Sequence, residues 1–184
     1  MTTHEKTITI TICYLTGSYS PAQIVTHRST ASNVLTTPLT MPTINPSTGC
    51  SYTHSHSTLP TGVTFDTVTN EIKIERQTAV SGTVTLIPKV EGWDDTDNKL
   101  DVKLTVCELN SDYSPLTITT YRTNSNLEQT LTLPTANDSG ACSYTHEYTN
   151  LPTGVTVDVA SNKIIIDRST AATKSTTLTV TPRF

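Results

Sequence analysis

The chain consists of two copies of one sequence pattern, and this internal repeat restricts the folds that it can adopt. The stretch CSYTH occurs at residues 50–54 and 142–146, and LPTGVT occurs at 59–64 and 151–156. Both pairs are separated by 92 positions, so chance does not account for them. A chain of 184 residues with this repeat is predicted to contain two homologous modules of about 90 residues each.

A third match places the seam between the two copies. Cys13 and Cys107 are each followed six residues later by Tyr-Ser-Pro, at an offset of 94 positions. The polar stretch EGWDDTDNKL (91–100) lies between the end of the first pattern and the beginning of the second. We therefore predict two domains, residues 1–93 and residues 94–184.

Both copies show the alternation that is typical of short β-strands. ITITIC (8–13) places Ile8, Ile10 and Ile12 on one face and threonines on the other, which predicts a half-buried strand. KLDVKLTVC (99–107) has the same alternation in the second copy. The 41 threonines of the chain favour strands as well, because β-branched side chains suit a pleated surface. Further strands are predicted at 71–75, 83–88, 163–167 and 177–182.

Two predicted hairpins carry side chains that favour tight turns. Asp66 opens the first turn by accepting hydrogen bonds from its own backbone, and Asn70 tolerates the positive φ at which that turn closes. Asp158 and Asn162 repeat this arrangement in the second copy. We interpret these carboxylates as turn residues rather than ligands. Strands separated by such turns about every 8–12 residues indicate an all-β sandwich or barrel.

The C-terminal third of each copy resembles the immunoglobulin-like and cadherin-like (dystroglycan-type) tandem repeat modules of secreted and surface proteins. The shared outline is Leu-Pro-x-Gly, an apolar strand that ends in Asp, a Thr/Ser-Asn turn and an Ile-x-Ile strand. The matching residues are Leu59, Pro60, Gly62, Phe65, Asp66, Thr69, Asn70, Ile72 and Ile74, and Leu151, Pro152, Gly154, Val157, Asp158, Ser161, Asn162, Ile164 and Ile166. The resemblance implies two tandem immunoglobulin-like β-sandwich domains that serve as spacers or adhesive units. Where family members continue with Gly-Thr-Pro, this chain has ERQT (75–78) and DRST (167–170).

The four cysteines occupy equivalent places in the two copies. Four cysteines allow three pairings, and repeat symmetry favours Cys13 with Cys50 and Cys107 with Cys142. Each bridge would close a loop of about 36 residues and stabilise its module by roughly 3–4 kcal/mol. Such bridges imply an oxidising compartment, outside a cell or on its surface. The alternative is four reduced cysteines that are buried as small apolar residues.

The cysteine and histidine of CSYTH suggest either a metal site or a nucleophile with its base. In a strand, Cys50, Tyr52 and His54 share one face, but Cα atoms four residues apart are separated by roughly 13 Å. Zinc holds its ligands at about 2.0–2.3 Å, so an extended CSYTH cannot close on one ion. We interpret each copy as a strand that carries a disulfide and an outward or rim histidine. We predict no catalytic, cofactor-binding or metal-binding residue in it.

An acidic cluster surrounds Trp93, the only tryptophan, at the predicted seam. Its members are Glu91, Asp94, Asp95, Asp97 and Asp101. Calcium takes six to eight oxygen ligands, so the cluster is a weak candidate for a calcium site that stiffens the linker. The alternative, which we prefer, is solvated linker charge with no cofactor. Trp93 is expected to pack at the seam between the modules rather than bind a ligand.

Asn137 begins the sequence Asn-Asp-Ser, which is an N-glycosylation sequon. It lies between predicted strands, where a glycan can be accommodated. Threonine- and serine-rich exposed faces are also candidates for O-glycans. These features predict a threonine-rich glycoprotein.

The charge and hydropathy patterns exclude several classes of function. A net charge of −4 and a pI near 5.7 give no electrostatic basis for binding nucleic acid or an anionic membrane. No stretch is long and apolar enough for a membrane span, and MTTHEKTITITICYL has no apolar h-region and no small-residue cleavage site, so we do not expect it to act as a signal peptide. No nucleotide-binding loop or catalytic motif is present.

We therefore predict a non-enzymatic structural or adhesive protein that is extracellular or on the cell surface. Its partners are expected to be other protein subunits, through self-assembly or a surface partner. Two alternatives remain open. One is a self-polymerising subunit of a filament or viral particle, in which ITITIC pairs with a neighbour's sheet edge, so that deletion of residues 1–12 would stop polymerisation. The other is a glycan-binding module of a larger secreted protein.

Overall fold

The computed structural model describes residues 6–184, which form β-strands and one short 3₁₀-helix. The predicted all-β class is confirmed. The chain divides into two compact units, Met1–Val106 and Cys107–Phe184. Within residues 6–184, no helix has the length and apolar character needed to cross a membrane.

The strands of the first unit are β1 Tyr14–Thr16, β2 Gln23–His27, β3 Val34–Pro38, β4 Thr43–Asn45, β5 Tyr52–His56, β6 Val63–Asp66, β7 Glu71–Glu75, β8 Gly82–Val90, β9 Trp93–Asp94 and β10 Leu100–Cys107. The 3₁₀-helix, η1, spans Thr96–Asn98. The strands of the second unit are β11 Asn126–Thr130, β12 Thr145–Thr149, β13 Val155–Asp158, β14 Lys163–Asp167 and β15 Thr179–Arg183. The strands predicted at 71–75, 83–88 and 163–167 are therefore confirmed.

The first unit is a β-sandwich with a continuous core. One large sheet has the strand order β2-β10-β8-β5, with β9 added to β8, and the second has the order β3-β7-β6. A separate two-stranded sheet joins β1 and β4. Apolar side chains of both sheets meet between them, because alternate residues of each strand point to the same face. The most deeply buried strand is β10, in which Val102, Leu104 and Val106 are 0%, 2% and 1% exposed.

The position of strand β10 places the boundary between the two units later in the chain than predicted. It follows the predicted seam in sequence, yet it is hydrogen-bonded within the sheet of the first unit. Its register against β8 runs from Leu100 opposite Leu86 to Leu104 opposite Gly82. On its other side, the Lys103 amide donates to the carbonyl of Ala22 at 2.9 Å. The contact division therefore falls between residues 106 and 107, after this strand, and not at the predicted boundary between 93 and 94.

The second unit has fewer strands than the first. One sheet has the order β11-β14-β13, and β12 pairs with β15. These strands match β3, β7, β6, β5 and the end of β8 at the repeat offset of 92 residues. The predicted strand 177–182 is only partly confirmed, because β15 begins at Thr179.

The two hairpin turns form as the sequence predicts. The Asp66 carboxylate accepts from the amides of Val68 and Thr69 at 3.0 and 3.2 Å, and Asn70 has φ 55°. In the second unit, the Asp158 carboxylate accepts from the amides of Ala160 and Ser161, and Asn162 has φ 53°. The pKa of Asp66 is lowered first by the hydrogen bond from the Lys73 ammonium and then by these amides, and the pKa of Asp158 is lowered first by the hydrogen bond from the Ser161 hydroxyl.

The turn before β6 depends on a glycine. Gly62 has φ +72°, and a Cβ at this position would lie 2.6 Å from the amide nitrogen of Ala79. We expect Gly62→Ala to lower the free energy of unfolding by about 2 kcal/mol, from left-handed strain and the backbone clash together. Gly49→Ala is the matched control, because φ is +79° there and nothing lies within 4 Å of the added Cβ. It should cost about 1 kcal/mol. Equal losses in urea unfolding would contradict a close backbone approach at Gly62.

The N-terminal segment differs from its prediction. Residues 8–13 were predicted to form a half-buried strand, but no strand is assigned to residues 6–13. Ile8, Ile10 and Ile12 are 82%, 81% and 77% exposed. The alternation is that of a strand, but no apolar surface of the described chain covers its isoleucine face.

Candidate functional site

The two CSYTH stretches lead into equivalent strands that are each fixed by a disulfide. Cys13 is bonded to Cys50 and Cys107 to Cys142, with Cα atoms 5.8 and 5.6 Å apart. Among the described residues there is no free cysteine. Nor do residues 6–184 bring together three His, Cys, Asp or Glu side chains that could hold one metal ion.

The histidine of the first CSYTH stretch, predicted to lie outward or at the rim, is half-buried and packs against two tyrosines rather than pointing outward. His54 lies in edge-to-face contact with Tyr19 and Tyr52, at ring-centroid distances of 5.7 and 5.0 Å. Its Nε2 is buried and has no hydrogen-bond partner within residues 6–184. The rings form a histidine–tyrosine cluster because Tyr52 and His54 share the inward face of β5.

The second unit contains an equivalent cluster. His146 packs edge-to-face with Tyr113 and Tyr144 at 5.5 and 5.0 Å, and its Nδ1 lies 3.0 Å from the Tyr113 hydroxyl. Burial lowers the pKa of both His54 and His146, because an imidazolium loses hydration among the rings. These clusters are packing units of the repeat.

Because these two histidines are half-buried, we predict that the free energy of unfolding decreases in mild acid. Their pKa is lower in the folded than in the unfolded chain, where it is about 6.5. The unfolded chain therefore binds more protons between those values, so stability is full above pH 6.5 and falls as the pH decreases towards the folded pKa. We expect lower urea midpoints at pH 5 than at pH 7.5. His54→Phe should reduce this dependence, whereas an unchanged dependence in both His54→Phe and His146→Phe would contradict it.

The acidic cluster does not converge on one point. Four of its carboxylates have separate partners, and Asp97 lies in η1. The contacts are Glu91 with the Ser51 amide (2.5 Å), Asp94 with Lys89 (3.3 Å), Asp95 with the Asn98 amide (3.2 Å) and Asp101 with the Thr85 hydroxyl (2.6 Å). Solvated linker charge, which we prefer, and the weaker calcium alternative both stay predictions from the sequence. Trp93, which was expected to pack at the seam, is 82% exposed.

The sequon residue Asn137 lies at the surface of the second unit. Its side-chain oxygen accepts from the amide of Glu108 at 3.2 Å. Glycosylation of Asn137 stays a prediction.

An open groove is the most distinctive feature of the second unit. In the first unit, β10 lies between β2 and the first half of β8. The equivalent residues of the second unit are 117–121 and 174–178, and neither segment is assigned to a strand. We call the space between these two segments the groove. Within residues 107–184, the equivalents of β2 and of the first half of β8 are therefore not assigned as strands. No strand lies between these two segments in the place that β10 occupies in the first unit.

The groove has a large volume and an apolar floor. Two adjoining cavities of about 630 and 350 Å³ share the side chains of Ile118, Val155 and Ile166. The smaller cavity is also lined by Leu131, Ile164, Leu178 and Val180. Around the larger one lie polar residues, including Arg122, whose guanidinium donates to the carbonyls of Ser169 and Ala171.

Comparison of the two units shows that the floor is uncovered core. Val63 and Ile74 of the first unit are buried in the same core cluster as the apolar side chains of β10. Their equivalents, Val155 and Ile166, are only half-buried. Ile24 is buried in β2, whereas its equivalent Ile118 is half-buried. The groove therefore exposes the surface that a central strand covers in the other copy.

This geometry suits an extended peptide strand. The segments on either side have backbone amides and carbonyls outside any sheet, and the floor has apolar positions for alternate side chains. Strand addition uses both features, because main-chain hydrogen bonds give affinity and alternating pockets give specificity. The sequence alone did not reveal this groove.

No protein-family model and no curated protein sequence matches this chain. Among solved structures, the insect immune protein hemolin is similar with 10% identity and a TM-score of 0.39, covering 84% of this chain and 41% of that one. Mouse cadherin-23 EC22–24 is similar with 12% identity and a TM-score of 0.35, covering 91% and 59%. A SusE-like surface-located polysaccharide-binding protein of Bacteroides thetaiotaomicron has 13% identity and a TM-score of 0.28, covering 93% and 33%. This chain spans less than two thirds of each of them, and TM-scores at this level carry no argument about its function.

Proposed function

We propose that this chain is a non-enzymatic, extracellular structural or adhesive protein that builds or decorates a surface assembly through protein contacts at the groove. The observation that carries the proposal is the uncovered core of the second unit. Apolar surface in this position is unfavourable in water, and a partner that covers it gains the free energy of its burial.

Two further observations support the proposal. Each unit has a disulfide, and disulfides persist in oxidising compartments such as the cell exterior. The residues around the groove are threonines, aliphatic side chains and a few basic side chains. They resemble the side of a sheet more than they resemble a site with an acid, a base and a nucleophile.

The test is whether the oxidised full-length chain associates through this groove. We expect light scattering to give a mass above 19.9 kDa that rises with concentration, and negative-stain electron microscopy to show regular assemblies. Ile118→Glu should abolish association, because it places a charge on the groove floor. Val159→Glu is the matched control, since Val159 is exposed in the β13–β14 turn of the same unit. If the chain binds no protein at any concentration, or if Ile118→Glu associates normally, the proposal is wrong.

A further inference from the structure

We propose that the occupant of the groove is the N-terminal segment of a second copy of this chain, residues 6–12, inserted as a β-strand. This inference rests on the proposed assembly function and specifies its partner and its register. Copies joined in this way form a head-to-tail array.

The first argument is the repeat itself. At the offset of 94 that aligns Cys13 with Cys107, Ile8, Ile10 and Ile12 align with Val102, Leu104 and Val106 of β10. Residues 6–12 are therefore the first-copy equivalent of the strand that completes the first unit. A second unit built on the same pattern should accept the same kind of strand in the same place.

The second argument is the contrast in burial between these equivalent residues. Val102, Leu104 and Val106 are at most 2% exposed, whereas Ile8, Ile10 and Ile12 are at least 77% exposed. Three β-branched side chains on one face of an extended segment gain from burial, and they have no cover within residues 6–184. The groove and the segment are therefore complementary, because one lacks a strand and the other lacks a sheet.

The third argument is the position of the cysteines. β10 is packed in the first unit, but it ends at Cys107, whose disulfide to Cys142 lies in the second unit. Each completing strand is therefore fixed covalently to the module that follows it and packed in the module that precedes it. Cys13, bonded to Cys50, fixes residues 6–12 to the first unit in the same manner. By this rule, residues 6–12 are packed in a module other than the one that follows them, and the second unit of another copy has the uncovered floor that fits them.

The first unit also predicts the register of the inserted strand. β10 pairs antiparallel with β8, with Leu100 opposite Leu86 and Leu104 opposite Gly82. The offset of 94 relates β10 to residues 6–12, and the offset of 92 relates the first half of β8 to residues 174–178. The same pairing therefore places Lys6 of the inserted strand opposite Leu178, and Ile10 opposite Lys174. The isoleucines then face the floor formed by Val155 and Ile166. An interface of this kind joins two different surfaces, so copies associate head to tail, as a ring where the rotation between copies closes and as an open chain where it does not.

The experiment compares two variants of the full-length oxidised chain. The triple variant Ile8→Thr, Ile10→Thr, Ile12→Thr keeps strand propensity but removes the apolar face. Thr9→Lys is the matched control, because Lys103 stands at the equivalent position of β10. We expect the triple variant to lose self-association by at least about tenfold per isoleucine, and Thr9→Lys to associate as the natural chain does.

A peptide then tests the groove directly. The triple variant keeps its groove, so a synthetic peptide of residues 6–12 (KTITITI) should bind it and slow hydrogen exchange at 117–121 and 174–178. The peptide KTTTTTT is the control and should not. The same KTITITI peptide should cap assemblies of the natural chain.

Each other outcome overturns the inference. If the natural chain and the triple variant assemble equally, the occupant is not residues 6–12, while the proposed assembly function stands. If KTITITI protects neither segment, the groove does not take this strand. If the natural chain stays monomeric with both segments protected at every dilution, the occupant is the chain's own segment and not a second copy. If a polysaccharide rather than the peptide protects these segments, both this inference and the proposed function fail.

Discussion

Leu104→Ala is expected to lower the free energy of unfolding of the first unit by about 2–5 kcal/mol. Leu104 is 2% exposed and lies in the central strand of the larger sheet, within the core cluster of this unit. Its truncation removes apolar contacts from both sheets and leaves a cavity, because surrounding side chains in a packed core relax only in part. Urea unfolding followed by far-UV circular dichroism measures the loss.

The matched control for this prediction is Ile10→Ala at the equivalent position of the first copy. Ile10 is 81% exposed, so at concentrations where the chain is monomeric the change should be within about 0.5 kcal/mol. At concentrations where copies associate, the same variant should weaken association. Equal destabilisation of the monomer by both substitutions would show that residues 6–12 are packed within their own chain.

The second large effect is expected from removal of a disulfide. Cys13→Ala with Cys50→Ala opens a bridge between residues 37 positions apart and should cost the first unit about 3–4 kcal/mol. The bridge between Cys107 and Cys142 spans 35 positions, so its double substitution should cost the second unit a similar amount. Thermal unfolding of both variants, compared with the natural chain, measures the two losses.

The same two variants separate stability from assembly. Loss of the Cys13–Cys50 bridge frees the inserted strand from its own module, so assemblies should form but dissociate more readily. A loss of less than about 1 kcal/mol from either double variant would contradict the loop-entropy account, since the two loops are nearly equal in length.

Local sequence patterns were sufficient to predict the strands and turns that form within one module. EIKIE forms a strand because Ile72 and Ile74 bury one face in the core of the first unit, and KIIID forms the equivalent strand with Ile164 buried. Asp66 and Asp158 form the predicted turns because their hydrogen-bond partners lie two and three residues away. Interactions of this range can be deduced without a tertiary structure.

Features that depend on a distant partner could not be predicted in the same way. The alternation of ITITIC shows that one face should be buried, but it contains no information about which surface covers that face. The same limit explains the domain boundary, because β10 follows the seam in sequence but pairs with the strands before it. Alternation places His54 on the face of Cys50 and Tyr52 but does not show how deeply that face is buried, so the sequence could place it only outward or at the rim.

Hydrogen–deuterium exchange on the natural oxidised chain, at low and high concentration, tests the central claim most directly. The amides of residues 6–12, 117–121 and 174–178 lie outside any sheet in the single chain. If a second copy completes the second unit, all three segments gain protection together as the concentration rises, while β10 is protected throughout. Exchange in these segments that is independent of concentration would contradict assembly by strand insertion.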